Sequence, residues 1–187
     1  MKPLTSRRAL AYLAALTMKI KWILLALLVL CVPHALLAQE QPELFSRIER
    51  VFREKEPAWK VEQILPHDLI YVRSREITFR SARGQAAVAV EIWVAEKDAR
   101  DVFTATSIAF DDNPLGGRRV KRSLPGLGDE NHIWTQRGST AWPTFKFRKG
   151  NINVLVFAPN VAIAKRFAQH IFTQITELNN SNGQTTR

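Results

Sequence analysis

Cysteine is nearly absent: the 187 residues hold one, Cys31, and it lies inside an apolar run near the N-terminus. A disulfide framework is therefore excluded, and beyond that run there is no thiol to serve as nucleophile or metal ligand. Acidic residues are missing from positions 1 to 38, which hold five of the 27 Lys and Arg. Also missing are a Gly-x-Ser-x-Gly elbow, a His-Glu-x-x-His pair and a phosphate-cradling glycine loop. The later histidines, His67, His132 and His170, show no metal-ligand spacing, so neither a metal nor a cofactor is expected. Asp111-Asp112-Asn113 lacks the spacing of a calcium loop, and Asp129-Glu130 on a strand would point to opposite faces. These absences remove the enzyme classes that short motifs reveal. They leave a triad assembled from distant positions as the one catalytic alternative.

What the N-terminus does contain is ordered. Lys19 and Lys21 precede an apolar run from Trp22 to Val32, followed by Pro33 and by small Ala38 before polar Gln39-Glu40. That order predicts a signal peptide over residues 1–38, with Met18 as an alternative start, and a secreted or periplasmic domain from about Gln39. The run is short for a membrane span, so no transmembrane anchor is expected after its removal. Leu28-Val29-Leu30-Cys31 lacks the small residue that a lipoprotein signal needs before its cysteine, and although Ser6-Arg7-Arg8-Ala9-Leu10 resembles a twin-arginine signal, Lys19 and Lys21 would interrupt its apolar region. Without the leader the formal charge of +10 becomes +5, from 22 basic and 17 acidic residues. A charge of this size bears on solubility and anion attraction, and export removes the usual nucleic-acid ligand.

The remaining chain predicts one globular domain over residues 39–178 and a polar C-terminal tail over 179–187. Leu44, Ile48, Val51 and Phe52 recur at helical spacing after Pro42, with Glu43/Arg47 and Glu49/Arg53 as surface pairs, and Pro57 ends that helix. Lys60 to Leu65 and Leu69 to Arg73 read as short strands around a turn at Pro66-His67-Asp68. Glu76 to Ala82 and Gln85 to Val94 read as a hairpin, and a helix is expected from an Asp98 cap to about Phe110. Asp111 to Gly128 reads as a long loop. Strands then follow over Asn131 to Arg137, Trp142 to Lys149 and Asn151 to Ala158, the first two joined by a turn at Gly138-Ser139-Thr140. Asn160 caps a last helix carrying Phe167, Ile171, Ile175 and Leu178 inward.

Alternating strands followed by amphipathic helices predict an α+β fold: an antiparallel sheet with its helices packed on one face. Thr78 to Gly84 and Thr144 to Gly150 match in residue type at an offset of 66. A duplicated hairpin-helix unit is one reading of that match, and a chance similarity of two basic hairpins is the other.

If Phe79, Val88, Val90, Phe145, Val154 and Val156 face the helices, then Arg80, Trp93, Trp142, Lys146 and Arg148 share the outer face. Cations interleaved with tryptophans suit an anionic or amphipathic ligand, such as an anionic lipid, a glycan or an envelope protein. The alternative is that the first helix or the long loop covers the aromatics while the cations stay in water. Arg118-Arg119-Val120-Lys121-Arg122 is the densest basic run, and reads either as a phosphate-greeting patch or as a solvated loop.

The sequence thus points to an exported, non-enzymatic domain that binds through its outer sheet face. An envelope hydrolase and an accessory subunit acting through protein contacts are the rivals. Gly128-Asp129-Glu130 and Phe147-Arg148-Lys149-Gly150-Asn151, with the valines and the Ala-rich helix after them, resemble a pattern in uncharacterised exported bacterial α+β domains. The resemblance covers residues 125–178, implies a small α+β domain of the cell envelope, and brings no activity or site residues with it.

Overall fold

The computed structural model describes residues 43–112, 119–136 and 142–184. Residues 1–42 with Cys31, residues 113–118 with Arg118, residues 137–141 with the expected turn at Gly138-Ser139-Thr140, and residues 185–187 lie outside the described residues. No helix among the described residues is long and apolar enough to cross a membrane.

Helix α1 spans 43–55 and carries Leu44, Phe45, Ile48 and Phe52 into the core. The expected surface pair forms on its outer side, with Arg47 Nη2 2.6 Å from Glu43 Oε1. Seven strands follow, interrupted by one helix and closed by another. They are β1 (Lys60–Asp68), β2 (Val72–Ser81), β3 (Gly84–Trp93), α2 (Glu96–Asp111), β4 (Arg119–Arg122), β5 (Glu130–Gln136), β6 (Thr144–Lys149), β7 (Ile152–Phe157) and α3 (Val161–Gln184). The strands form one sheet in the order β1-β2-β3-β7-β6-β5-β4, antiparallel at every pairing. Two meanders therefore meet along β3 and β7, and the α+β antiparallel class expected from the sequence is the class observed.

The core face follows the alternation of the strands. Ile77 pairs Val88, Val88 pairs Val156, Val156 pairs Phe145 and Phe145 pairs Ile133, a continuous row of buried side chains across five strands. α1 and α3 cover that row, with Phe52 4.6 Å from both Phe79 and Phe167 and with Trp59 5.4 Å from Phe167. Asn160 caps α3 as expected, its Oδ1 accepting from Ile163 N at 2.9 Å. Arg166 and His170 of α3 hold the buried Glu56 just past the end of α1. Among the described residues, every member of this core cluster lies between Leu44 and Leu178.

α2 departs from the expected arrangement. Its buried residues Ala99 and Phe103 meet Lys146, Asn153 and His132, all on the face opposite the Val88 row. The sheet is covered on both faces, not one. This bears on the match between the two hairpins as well. A two-fold rotation carrying β2 and β3 onto β6 and β7 keeps the core face inward and would put both following helices on one side. α2 and α3 lie on opposite sides, so the likeness stops at the hairpins.

Three local expectations also change. β1 runs unbroken through Pro66 to Asp68, because on an edge strand the missing N–H need not belong to a ladder. The turn falls instead at 69–71, closed by Leu69 N donating to Val72 O at 2.8 Å. Arg119–Arg122, expected within a loop, is strand β4, paired with β5 from Arg119↔Gln136 to Arg122↔Ile133. α3 continues to Gln184, six residues past the Leu178 at which its apolar pattern stops.

Candidate functional site

The five residues expected on one open face are not brought together. Arg80 lies near the β2–β3 turn, opposite Gln85, while Trp93 lies at the far end of β3, opposite Val72. Arg80 is exposed but engaged: its Nε and Nη2 each stand 2.8 Å from Glu62 Oε1, and Gln85 Nε2 donates to Glu62 Oε2. The hydrogen bond from Arg80 holds the Glu62 carboxyl below the usual range. Trp142 precedes β6 and is 41% exposed.

Lys146 and Arg148 are corrections to the sequence reading, since each is only 3% exposed beneath α2. Their alternation onto the outer face is as expected, but that face is covered here. Lys146 Nζ donates to Phe103 O at 3.1 Å and lies 4.6 Å over the Phe103 ring. It lines a cavity of about 40 Å³ with Ala89, Glu91, Thr106, Asn153 and Leu155. Burial pushes its pKa down to about 8, against the opposing pull of Glu91 and Glu130. His132 lies 5.4 Å from both Phe103 and Trp134, and burial, then the charge of Lys121, lowers its pKa and favours the neutral imidazole.

Arg148 anchors a second cluster. Its Nε donates to Glu130 Oε1 at 2.9 Å, and its Nη1 donates to Gly150 O at 2.7 Å and to Glu96 Oε1 at 3.1 Å. Asp129 joins through Lys149 Nζ at 2.9 Å and the Gly150 N–H at 2.8 Å. Burial would raise the Asp129 carboxyl, but the Gly150 N–H, Lys149 and Arg148 together hold it below its ordinary range. Gly128 makes this approach possible. Its φ is +77°, and a Cβ there would collide with the Arg148 carbonyl.

Lys146 carries a testable consequence. Below about pH 8 the folded state must hold a charged lysine beneath α2. Between about 8 and the ordinary 10.5 the folded lysine is neutral while the unfolded one still binds its proton. Stability from this group therefore rises with pH across that window, by roughly 3 kcal/mol at about 1.4 kcal/mol per pKa unit. Lys146→Met is expected to remove this rise and to be more stable than the parent at pH 7 by about 1 to 3 kcal/mol. Urea melts of both proteins at pH 7 and pH 10 measure the difference; a variant less stable at pH 7 would show that the helix carbonyls outweigh the desolvation.

The surface that sequence reasoning missed is on the first hairpin. Leu69, Ile70 and Tyr71 form the β1–β2 turn and are exposed, Ile70 at 99%. Tyr71 stacks on Trp93 at 5.9 Å, and Val94 N donates to Tyr71 O at 3.1 Å. Of the ten large apolar side chains exposed among the described residues, six lie between Val61 and Tyr71. The signal available in the sequence was the unbroken Leu-Ile-Tyr run itself, which reads as strand until Pro66 is recognised as an edge residue.

No protein-family model matches the chain, and no curated protein matches it. Among solved structures, a GTP binding regulator from Thermotoga maritima is 13% identical with a TM-score of 0.40, covering 63% of this chain and 78% of that one.

Proposed function

We propose that the protein is an exported, non-enzymatic domain that engages a component of the cell envelope through the β1–β2 hairpin. The observation that carries this reading is the crowding of exposed apolar side chains between Val61 and Tyr71. Monomeric surfaces carry scattered apolar residues, whereas clustered ones mark contact sites. The order of Lys19, Lys21, the apolar run and Ala38 supports export. N-terminal sequencing of exported material is expected to find a start at about Gln39, and a chain retaining Cys31 would contradict it.

Lys146 is closed off from any substrate, whereas Asp129 and His132 line an open cavity of about 550 Å³, so the preference for binding over hydrolysis rests on the hairpin. Lys146 faces a cavity of about 40 Å³, room for roughly one water and not for a substrate. His132 is held between Phe103 and Trp134.

The hairpin reading is tested with a photo-crosslinking side chain at position 70 and, as a control, at exposed position 165 of α3. In intact cells position 70 is expected to give adducts with envelope protein or lipid and position 165 none. The absence of adducts from position 70, or equal labelling from both, would overturn it.

A further inference from the structure

Resting on that reading, we propose that the hairpin tip Leu69-Ile70-Tyr71 seats in the interfacial zone of an anionic lipid bilayer. Four observations converge on this occupant.

The first concerns what the sheet edges refuse. β1 and β4 are the two edges, and an exposed edge ordinarily invites a partner's strand. β1 carries Pro66, a slip of register between Val61 and Gln63, and charges at Lys60 and Glu62. β4 is four residues long with three cations. Both edges bear the devices that block strand addition. The tip bears none: it offers three consecutive large apolar side chains and no charge.

The second is shape. Ile70, at 99% exposure, is the summit of a convex knob, and Leu69 and Tyr71 flank it at 57% and 54%. A knob of this kind suits a deformable apolar medium, where a flat partner would leave its sides in water.

The third is the collar. Tyr71 lies stacked on Trp93, whose Nε1 donates to Glu91 Oε2 at 3.2 Å. Below an apolar summit, this pair occupies the level at which tyrosine and tryptophan rings settle between acyl chains and headgroups.

The fourth is charge. Asp68 is the acid at the base of the tip, and it is bound by Arg75 at 2.6 Å and lies in the field of Arg73. His67 stands beside it on β1. Around the tip Arg73 and Arg75 offset Asp68 and Glu91, so no net negative charge repels an anionic surface, and the chain after residue 38 carries +5. Anionic headgroups complement that charge, and neutral ones do not.

The test uses the processed protein recovered from exported material, in cosedimentation with vesicles of phosphatidylcholine alone and of phosphatidylcholine with phosphatidylglycerol. The parent is expected to bind the anionic vesicles more tightly than the neutral ones. Its binding should weaken as salt is raised, and its tryptophan emission should shift to the blue. Ile70→Asp is expected to weaken binding about tenfold or more, and Leu69→Ser to act in the same direction. Ile108→Asp, at a similarly apolar exposed position on α2, should leave it unchanged. Thermal melts of the tip variants should match the parent, since Ile70 supports nothing in the fold. A parent that ignores anionic vesicles, or a folded Ile70→Asp that binds them equally, overturns the proposal. If position 70 then still crosslinks to an envelope protein in cells, the lipid assignment falls and the hairpin reading stands. If it crosslinks to nothing, both fall.

Discussion

Val154→Asp is expected to abolish folding, and Phe145→Ala to cost about 3 to 5 kcal/mol. Val154 is fully buried on β7 between Val90 of β3 and Phe147 of β6, on the face that α3 covers. A carboxylate there has no cation opposite it, because its cross-strand partners are Val90 and Phe147 and the buried cations of β6, Lys146 and Arg148, alternate onto the other face. Burying it unpaired costs several kcal/mol before the lost valine contacts are counted. The total approaches the roughly 5 to 15 kcal/mol by which such domains are stable. Phe145 shares the row with Val156 and Ile133, and its loss leaves a cavity bounded on two sides by strands that cannot close in. Circular dichroism should show no cooperative melt for Val154→Asp and a lowered midpoint for Phe145→Ala. Melts near the parent's for both would mean that the sheet faces are assigned the wrong way round.

That assignment was legible because Ile77 and Phe79, Val88 and Val90, Phe145 and Phe147, and Val154 and Val156 recur two residues apart, and a period of two admits only two answers. What covers each face is not written in the strands. Alternation placed Lys146 and Arg148 opposite the core and left them in water by default. It could not say that α2 would lie across them. The sequence of α2 contains the hint in its small inward residues Ala99 and Ser107, which leave room for a lysine stem to lie against the helix. Reading it that way requires knowing that Phe103 O is the acceptor, a fact of three dimensions.

Pro66 misled for a related reason. Proline breaks a central strand, and only the sheet order shows that β1 is an edge. Moving the turn past Pro66 turned Leu69-Ile70-Tyr71 from presumed strand interior into the most exposed apolar feature of the hairpin. β4 was hidden differently, since Arg-Val-Lys-Arg has too little apolar contrast to show a period. It becomes a strand because β5 offers it an edge.

Arg148→Met is expected to cost about 3 kcal/mol at pH 7, for the reason that makes Arg148 a poor binding residue and a strong structural one. Glu96, Asp129 and Glu130 converge on a guanidinium that is 4% exposed at its side chain. Removing the cation leaves three carboxylates facing one another, and breaking a buried pair from one side costs about 3 to 5 kcal/mol. The lower end applies because the carboxylates keep partial access to water. The effect has a sign in pH. The depressed Asp129 carboxyl contributes stability above its unfolded pKa, and that contribution is lost as pH falls through the folded value. The gap between parent and variant should therefore be widest near neutrality and should narrow toward pH 4, as the carboxylates of the variant take up protons. Arg148→Lys keeps the charge but loses the fork, and should fall between the two. Glu96 belongs to α2, whereas Glu130 and Arg148 belong to the sheet. Amide exchange in the variant should accordingly quicken in α2 before it does in α1 or α3. A loss below about 1 kcal/mol, the ordinary worth of an exposed ion pair, with α2 exchanging as before, would show that the cluster decorates the surface and that hydrophobic contact through Phe103 holds the helix unaided.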